Sequence, residues 1–330
     1  SSWSSPLSPE AHNIEQLRMM TKVSHLYHNR GLVQSEIAQL LGLSQARVSR
    51  LLTAAEEANI IRTVVVPPMG LNSELEEAIE KKYGLLQVHV VDATGETDSQ
   101  RADTLARALA TVFELLPLND KVIGFTSWSR SMRRFVDALN KFPHAKAKSV
   151  VELVGGIGEP GLQHEATTAT ERLANLIDAQ PMFLRVPGVV ATTDIKRAIL
   201  EGDSHARATL AAMDELDIAL VGIGNLAFRS ERVSGGNFFS QSQFDMIKGK
   251  GAVGEVDLRF IDAKGKPIAS KLDELVVGVN LEQLKRAERR IGVSGGADKH
   301  EVTLAALRGG WVNVLVTDLE TAEFLLAQAD

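Results

Sequence analysis

Residues 34–51 read QSEIAQLLGLSQARVSRL, and this stretch predicts a helix-turn-helix, two short helices joined by a tight turn. Gly42 permits the turn, because a residue without Cβ adopts a left-handed backbone at little cost. Ser44 is placed to cap the second helix. The residues expected to form the apolar interior are Ile37, Ala38, Leu40, Leu41, Val48, Leu51 and Leu52. Such a pair can dock on DNA, and the alternative is an ordinary two-helix hairpin of a globular domain.

Polar side chains on the outer face of this pair are the candidates for DNA contact. Arginine and glutamine can hydrogen-bond base edges, while serine and arginine can hydrogen-bond phosphates. The predicted DNA-binding residues are Gln34, Ser44, Gln45, Arg47, Ser49 and Arg50. Residues 41–55 contain two arginines and no acid, so a local positive face is predicted although the formal net charge is −6. The alternative for the two arginines is that they are solvated charges that contact no DNA. Tyr27 either touches the DNA backbone or packs in the core.

The flanking segments predict how far this first domain extends. Apolar residues at helical spacing predict a further helix before the pair: Ile14, Leu17, Met20, Val23 and Tyr27. After the pair, the β-branched run Ile60–Val66 predicts a short wing strand or the entry to a linker, and Pro67-Pro68 ends it. We therefore predict a small all-α (winged) helix-turn-helix domain over residues 10–66, a linker over 67–72 and a second domain over 73–330.

Composition places the chain among ordinary globular proteins. An apolar fraction of 44% and a charged fraction of 24% are typical of that class. No apolar run approaches the roughly 20 residues that span a bilayer, and no secretory signal is visible. The chain contains no cysteine, which excludes disulfides, thiolate metal sites and a cysteine nucleophile. We expect a cytoplasmic protein with no membrane partner.

The second domain alternates strand-like runs with amphipathic helical stretches. The predicted strands are Gln87–Val91, Lys121–Phe125, Ser149–Val154, Met182–Val186, Ile218–Val221, Glu274–Val279, Arg290–Val293 and Val312–Val316. This alternation predicts an α/β fold with a largely parallel, doubly wound sheet covered by helices. Val253–Ile261 and Pro267–Leu272 predict an inserted hairpin with its turn between them. Ser73 and Glu76 predict a capping box at the start of the first helix, which Gly84 ends.

Loops after the strands are the candidate ligand site, because ligands of such sheets bind beyond the carboxyl ends of the strands. Glycines there expose backbone N–H groups that suit a phosphate or a sugar hydroxyl, although tight-turn chemistry alone also explains each loop. The predicted effector-binding residues are Gly124, Thr126, Ser127, Trp128, Ser129, Gly155, Gly156, Gly222, Gly224, Glu255, Gly295, Gly296 and Lys299. Glu255 and Asp257 are expected to point to opposite faces of a predicted strand, and of the two only Glu255 is expected to line the pocket.

Several residues in and near these loops have a second interpretation. Lys299 either pairs with a phosphate or is a solvated lysine in the first turn of a helix. Trp128 either stacks on a sugar or is a buried aromatic where a strand meets a helix. The loops lack the Gly-Lys-Ser/Thr of a P-loop and the G-x-G-x-x-G of a dinucleotide site. His164 and His300 are not spaced as metal ligands, so we expect no metal and no cofactor.

Two long stretches carry a family resemblance. GAVGEVDLRFIDAKGKPI occupies residues 251–268, and IGVSGGADKHEVTLAALRGGWVNVLVTDLETAEFLL occupies residues 291–326; VVELVGG and DIALVGIG belong to the same pattern. In these motifs and the N-terminal head, over almost all of residues 14–328, the chain resembles the SorC family of bacterial sugar-responsive transcriptional regulators, also called the DeoR/SorC sugar-binding group. The resemblance implies an effector domain akin to sugar-phosphate isomerases and glucosamine-phosphate deaminases. It also implies dimers or tetramers on operator DNA that respond to a phosphorylated sugar.

One loop departs from that family pattern. Many relatives have Gly-Trp-Gly-Arg-Thr, whereas this chain has Ser127-Trp128-Ser129-Arg130-Ser131, with one more residue before the tryptophan. Glu255 also stands where relatives usually have aspartate. Serine in place of glycine removes backbone freedom and adds a hydroxyl. The effector is therefore expected to be a sugar phosphate or an unphosphorylated polyol.

The sequence thus predicts a DNA-binding transcriptional regulator of a carbohydrate or polyol operon, controlled by a sugar phosphate or related polyol. Its expected partners are operator DNA, that effector and further copies of the same chain. The alternative is an isomerase- or deaminase-like enzyme with an accessory DNA-binding domain. No cluster of carboxylates in the sequence marks an acid–base pair, so no catalytic residue is predicted. A third interpretation is an interaction scaffold that no longer binds DNA.

Overall fold

The chain divides into two units, Ser1–Val65 and Val66–Asp330. The computed structural model describes residues 9–63, 72–140, 142, 144–227 and 235–329, with side chains from residue 13 onward. The predicted linker lies outside the described residues apart from Asn72, as do positions 64–66 of the predicted wing strand. The proposed domain bounds 10–66, 67–72 and 73–330 therefore stay predictions.

Helices are the only regular secondary structure in the described part of the first unit. They are α1 (Pro9–Ser24), a π-helical turn (His25–Asn29), α2 (Gln34–Leu41) and α3 (Gln45–Glu57). Their shared core consists of Met20, Val23, Ile37, Ala38, Val48, Leu51, Leu52 and Ala55. The expectation that Leu40 is internal was wrong, since its side chain is 63% exposed. Leu40 follows Ala38 by two residues, which places it on nearly the opposite side of a helix with 3.6 residues per turn.

Both predicted turn features of this unit are confirmed. Gly42 ends α2 in the left-handed conformation with φ of 66°, and the Ser44 hydroxyl accepts the Arg47 N–H at 3.1 Å to cap α3. A wing strand is not seen in Ile60–Thr63, the described part of the run that predicted it. The first unit therefore presents two helices at the fixed turn that a helix-turn-helix requires.

The described part of the second unit contains two sheets. The strands are β1 (Gln87–Val91), β2 (Val122–Phe125), β3 (Ser149–Glu152), β4 (Gln180–Met182), β5 (Ile218–Val221), β6 (Ile223–Asn225), β7 (Ala252–Val256), β8 (Arg259–Asp262), β9 (Arg289–Val293) and β10 (Val314–Asp318). Seven of them form a parallel sheet in the order β1-β10-β9-β5-β2-β3-β4, and β6-β7-β8 form a small antiparallel sheet. The predicted parallel α/β fold is confirmed.

Helices connect these strands. They are α4 (Ser73–Tyr83), α5 (Asp98–Glu114), α6 (Arg130–Ala138), α7 (Pro160–Leu176), α8 (Thr193–Gly202), α9 (Ser204–Ala212), α10 (Gln241–Gly249), α11 (Leu281–Arg286), α12 (His300–Gly309) and α13 (Leu319–Ala327). None of the helices in the described ranges has both the length and the apolar composition that a membrane crossing needs.

Alternation along the strands divides the core in two. Val122 and Ala219 belong to one cluster, while their neighbours Ile123 and Leu220 belong to the other. Successive side chains of a strand point to opposite faces of the sheet, so each cluster covers one face. Helices α5, α6 and α7 contribute to one cluster, and α4 with α9–α13 contribute to the other. The sheet is therefore covered on both faces, as its uninterrupted apolar strands require.

Two predicted strands were misplaced. The run Met182–Val186 is not a strand, because β4 ends at Met182 and the Leu184 N–H donates to Oε1 of Glu152 at 2.8 Å instead of to a neighbouring strand. Glu274–Val279 was also wrong as a strand. A 3₁₀ helix, Lys271–Leu275, occupies its start, and only isolated bridges follow.

The inserted hairpin turns earlier than the sequence predicted. Strands β7 and β8 are joined by Asp257 and Leu258, whose φ angles of 45° and 68° are both left-handed. Two such residues form the tight turn that matches the twist of a hairpin. Asp262–Gly265 does turn, but only an isolated bridge between Ile261 and Pro267 follows it. The sequence pointed to the glycine-containing turn, whereas the hairpin uses two residues that rarely adopt positive φ.

The start of α4 also differs from prediction. Asn72 occupies the N-cap position, and its side chain makes no cap bond. Glu76 accepts the N–H of Val90 in β1 at 2.8 Å rather than closing a capping box with Ser73. Gly84 ends the helix in the left-handed conformation, as predicted.

Candidate DNA-binding and effector sites

The outer face of α3 carries most of the predicted DNA-binding side chains. Gln45, Arg47, Ser49 and Arg50 are all exposed, while Val48 on the opposite face is fully buried. Ser44 is also exposed, and its hydroxyl already accepts the Arg47 N–H. Gln34, at the start of α2, is half-buried, and Tyr27 is 37% exposed. Two arginines, a glutamine and a serine are therefore presented on the solvent-exposed part of the α3 surface, which suits contact with base edges and phosphates.

The effector candidates gather where the winding of the parallel sheet reverses. From β2 the chain continues to its neighbour β3, whereas from β5 it continues outward on the other side through β9. Ligands of doubly wound sheets bind in the crevice at such a switch point, outside the carboxyl ends of the strands. Thr126 follows β2 and Gly222 follows β5, so both lie at this crevice.

A buried carboxyl group, Asp257, closes the floor of the crevice. Its Oδ1 lies 2.6 Å from Oγ1 of Thr126 and accepts the Gly222 N–H at 3.3 Å. The Asp257 N–H donates to the Gly222 carbonyl at 3.0 Å. The side chain is 0% exposed, and its Oδ2 has no hydrogen-bond partner among the described residues. The hairpin turn is thereby tied to the ends of both β2 and β5.

The hydrogen bonds around Thr126 indicate that Asp257 is protonated. Thr126 Oγ1 lies 2.9 Å from the Leu220 carbonyl oxygen as well as 2.6 Å from Asp257 Oδ1. One hydroxyl proton can serve only one of these two acceptors. A neutral Asp257 resolves the conflict, because it donates to Thr126 while Thr126 donates to Leu220. Burial and the neighbouring Glu255 carboxylate raise the pKa of Asp257 to about 8, in agreement with this arrangement.

The expectation that Glu255 and Asp257 point to opposite faces was wrong, because residues two apart along a strand share a face. Asp257 lies in the turn beyond β7, so the period of two ends before it. Glu255 is 2% exposed, and its Oε2 accepts the Leu258 N–H at 2.7 Å. A Cβ at Gly224 would overlap the Glu255 carboxylate, so glycine is required for this packing. Both carboxyl groups therefore build the floor of the crevice, and neither lines the two cavities that open above it.

One of these cavities, here called the cationic cavity, has a volume of about 290 Å³. Three cations line it: Arg101 from α5, Arg130 from α6, and Lys299 just before α12. Asp98 and Asp298 line it as well, so cations outnumber carboxylates. Ser129 and Gly295, two of the predicted effector residues, also line this cavity.

Lys299 is held at the wall of the cationic cavity. The side chain is half-buried, and its ammonium donates to the Ile223 carbonyl at 2.8 Å. The alternative of a fully solvated lysine is thus at odds with the structure, while pairing with a phosphate stays a prediction. Arg101 is fixed by Asp98, at 2.8 Å from the guanidinium, and by Asp318 at 3.6 Å.

The second cavity, here called the tryptophan cavity, has a volume of about 470 Å³. Ser127 and Trp128 line one side, and Gly155 and Gly156 line another. The sequence did not single out Gln163 and Arg185, which bring further polar groups to it. Trp128 is only 6% exposed, so it is a buried aromatic at a strand–helix junction whose surface also forms cavity wall.

The structure therefore distributes most of the predicted effector residues, all except Gly124 and Gly296, over three places. Ser129, Gly295 and Lys299 line the cationic cavity. The tryptophan cavity takes Ser127, Trp128, Gly155 and Gly156. Thr126, Gly222, Gly224 and Glu255 surround Asp257 on the floor. Gly124 lies within β2, where a Cβ would meet the Leu153 side chain at 2.6 Å, and Gly296 donates its N–H to Asp318 at 2.8 Å.

Sequence reasoning missed Arg101, Arg130 and Asp318 as site residues. Arg101 and Arg130 stand in the first turns of helices that follow β1 and β2, and Asp318 ends β10. Cations in the first helical turn interact unfavourably with the helix dipole, so their position was the available signal that a ligand or acid offsets them.

No cluster of three or more histidine, aspartate or glutamate side chains that suits a metal ion lies in the described ranges.

A helix-turn-helix unit followed by a doubly wound sheet with polar cavities at its carboxyl edge defines a ligand-responsive DNA-binding regulator. A family model described as “Putative sugar-binding domain” matches residues 68–327. The sorbitol operon regulator of Klebsiella pneumoniae is 28% identical over 318 residues, which cover 95% of this chain and 99% of that protein. The deoxyribonucleoside regulator of Bacillus subtilis is 30% identical over 313 residues, which cover 94% and 98%.

A solved structure of similar fold supports the same assignment. The crystal structure of the full-length sorbitol operon regulator SorC from Klebsiella pneumoniae has a TM-score of 0.74 and 27% identity. The match covers 94% of this chain and 98% of that one. The chain belongs to the sugar-binding domain family and, with it, to the SorC family of transcriptional regulators. These relatives are regulators rather than enzymes, which disfavours the isomerase or deaminase alternative.

Proposed function

We propose that this protein regulates transcription of an operon for carbohydrate or polyol use, and that a phosphorylated sugar in the cationic cavity controls it. The observation that carries the proposal is the convergence of Arg101, Arg130 and Lys299 on one cavity at the switch point of the sheet. One relative is by name a sorbitol operon regulator and another a deoxyribonucleoside regulator, which fits a sugar-type ligand. Since such a regulator acts on chromosomal DNA, we place it in the cytoplasm.

Arg130 is the cation best placed to take a phosphate. It is exposed and makes no ion pair or side-chain hydrogen bond within the described part of the chain. It opens α6, where the Ser129 hydroxyl makes no cap bond. The first N–H groups of a helix lack partners within the helix and attract anions. The cavity volume is close to the lower end of small-molecule sites, about 300 to 1,000 Å³, which suits a compact ligand.

An unphosphorylated polyol is the second effector class. The tryptophan cavity offers an aromatic wall, Trp128, with the side chains of Gln163 and His164, and such surfaces suit a neutral ligand with several hydroxyls. Binding of a free polyol there leaves Arg130 without a role. Substitution of Arg130 therefore separates the two classes.

On the DNA side, we propose that the exposed face of α3 reads operator DNA and that the protein acts as a homodimer or homotetramer. The helix-turn-helix unit of one chain, here called a head, offers two arginines on this face. Such a small number of phosphate contacts gives weak binding at physiological salt. Two or more heads on paired half-sites supply the missing affinity. The effector then works by favouring one arrangement of the heads, which requires unequal affinity for the arrangements.

A thermal-shift screen is expected to separate the effector classes. Hexitol, hexose and pentose phosphates are tested beside their unphosphorylated parents. A ligand at 100 times its Kd stabilises the folded chain by about 2.7 kcal/mol, which raises Tm by roughly 5–10 °C for a unit of this size. We expect phosphorylated compounds to give this rise.

Two arginine variants make the screen specific. Arg130→Ala is expected to weaken the phosphorylated ligand by about 10- to 100-fold, because a charge-assisted hydrogen bond is lost. Arg197→Ala removes the same side chain from the exposed surface of α8 and should leave the shift unchanged. Stabilisation by free polyols alone, with no effect of Arg130→Ala, would show that the cationic cavity is not the effector site.

A further inference from the structure

Asp318 connects three segments at and beside the cationic cavity, although it was not among the predicted site residues. Its Oδ2 accepts the Gly296 N–H at 2.8 Å and lies 3.6 Å from Nε of Arg101. Its Oδ1 accepts the Thr321 N–H at 2.7 Å, which caps α13. The side chain is 3% exposed. One buried carboxylate thus holds the loop Gly295-Gly296, here called the glycine loop, together with Arg101 and the start of α13.

The glycine loop is shaped around this carboxylate. Gly296 has φ of 89°, in the region that favours glycine. A Cβ at Gly295 would lie 2.6 Å from Asp318 Oδ2, so the loop approaches the acid as closely as its backbone allows. Movement of Gly296 or Arg101 toward a ligand therefore changes the hydrogen bonds of Asp318 directly.

The far end of α13 is held by α4. Tyr83 Oη donates to the Leu325 carbonyl at 2.5 Å, and Lys82 Nζ donates to the Leu326 carbonyl at 2.9 Å. Lys82 also donates to the Gln328 carbonyl. A cation at the carboxyl end of a helix satisfies its last carbonyls and complements its dipole. A helix that is held at both ends by side chains transmits a shift at one end to the other.

Helix α4 is in turn fixed to the edge of the parallel sheet. Its Glu76 and Glu80 accept the N–H groups of Val90 and Val88, at 2.8 and 3.2 Å. Asn72 donates to the Val90 carbonyl at 3.1 Å. Strand β1 is an edge strand, so these side chains satisfy groups that no neighbouring strand reaches. Asn72 is the first described residue after the stretch that follows the helix-turn-helix unit.

We propose that Asp318 is a positioning residue that couples occupancy of the cationic cavity, through α13, to α4. This inference rests on the proposed function, because it assumes that the effector binds in the cationic cavity, beside Gly295 and Arg101. A ligand there alters the contacts of Asp318, α13 shifts with its capped end, and Lys82 and Tyr83 pass the shift to α4. The chain that leads to the DNA-binding unit begins at that helix.

The positioning role is tested without any ligand, by hydrogen–deuterium exchange of the full chain. Asp318→Asn leaves one carbonyl oxygen for two N–H donors and removes the charge beside Arg101. The Gly296 and Thr321 amides are expected to exchange about tenfold faster, because each loses one charge-assisted hydrogen bond. Glu323→Gln, at an exposed position of α13 outside the cavity, serves as control and should leave both amides unchanged. Unchanged exchange at Gly296 in Asp318→Asn contradicts the positioning role.

The coupling is tested with sorbitol 6-phosphate as probe. The double variant Lys82→Met, Tyr83→Phe keeps the cavity intact but releases the end of α13, and Lys81→Met is the matched control on the same helix. Probe should protect Gly296 in all three proteins, and protect α4 amides in the wild type and the control alone. Equal protection of α4 in the double variant overturns the coupling. Failure of the probe to protect Gly296 in the wild type instead overturns the assignment of the cavity, while the ligand-free test of Asp318 still stands.

Discussion

Replacing Asp257 with asparagine is expected to remove a loss of stability that the wild-type protein suffers as pH rises from about 4 to about 8. The pKa of Asp257 is raised by burial, and by the neighbouring Glu255, from its ordinary value of 3.8 to about 8. In that interval the unfolded chain has released this proton and the folded chain still holds it. Unfolding therefore becomes more favourable with rising pH, by about 1.4 kcal/mol per unit for this single group. Below about pH 4, Asp257 is neutral in the folded and the unfolded chain alike, so the stability that its raised pKa provides is fully present there.

Asparagine is the informative replacement because it keeps the hydrogen-bond donor. Its amide can donate to Thr126 Oγ1, as the neutral acid does, and it has no charge to release. The free energy of unfolding, measured by urea titration at several pH values, should rise for the variant relative to the wild type as pH increases, up to several kcal/mol at pH 8. Asp245→Asn, an exposed aspartate on α10, controls for general charge effects. A difference that does not change with pH would show that Asp257 is ionised in the folded protein.

Loss of the two arginines on α3 is expected to abolish specific DNA binding. A good contact from arginine to a base edge or a phosphate contributes about 1–3 kcal/mol, and every chain of an oligomer loses its contacts at once. The double variant Arg47→Ala, Arg50→Ala should therefore weaken binding by about 100-fold or more in a mobility-shift titration. The duplex is one selected by the wild-type protein from a random library. Both side chains are exposed, so the fold of the unit should be unaffected.

The control removes two cations from the same unit outside α3. Arg18→Ala with Lys22→Ala changes the charge of α1 by the same amount, and both residues are exposed. We expect a small, non-specific reduction in affinity from this pair. Equal losses from both pairs would mean that charge alone, and not the face of α3, determines binding. The number of chains in the shifted complex reports the oligomer, and one chain per duplex would contradict paired heads.

Local features were the part of the structure that sequence reasoning predicted well. Gly42 and Ser44 act through their own backbone and side chains, so turn and cap could be identified without knowledge of the rest. The apolar strands of the parallel sheet are similarly local signals, and most were placed within two residues. The hairpin was misjudged because its turn uses Asp257 and Leu258: aspartate signals positive φ only weakly, and leucine does not signal it at all.

The cavities depended on information that lies between distant segments. Arg101 and Arg130 meet Lys299 only because the sheet order places β2, β5 and β9 side by side. The sequence lists the loops but not that order, so it suggested one pocket where the structure has two cavities and a closed floor. Glu76 shows the same limit: its position matched a capping box, and tertiary contact with Val90 took precedence.

The most direct test of the account is the DNA affinity of the full chain, measured with and without a phosphorylated sugar that stabilises it. Allosteric coupling between two sites commonly changes affinity by about 5- to 150-fold, and we predict a change of at least about fivefold in one direction. Arg130→Ala should bind DNA as the wild type does without sugar and should lose the response at the same sugar concentration. An affinity for DNA that does not change when the sugar saturates the protein would contradict the account.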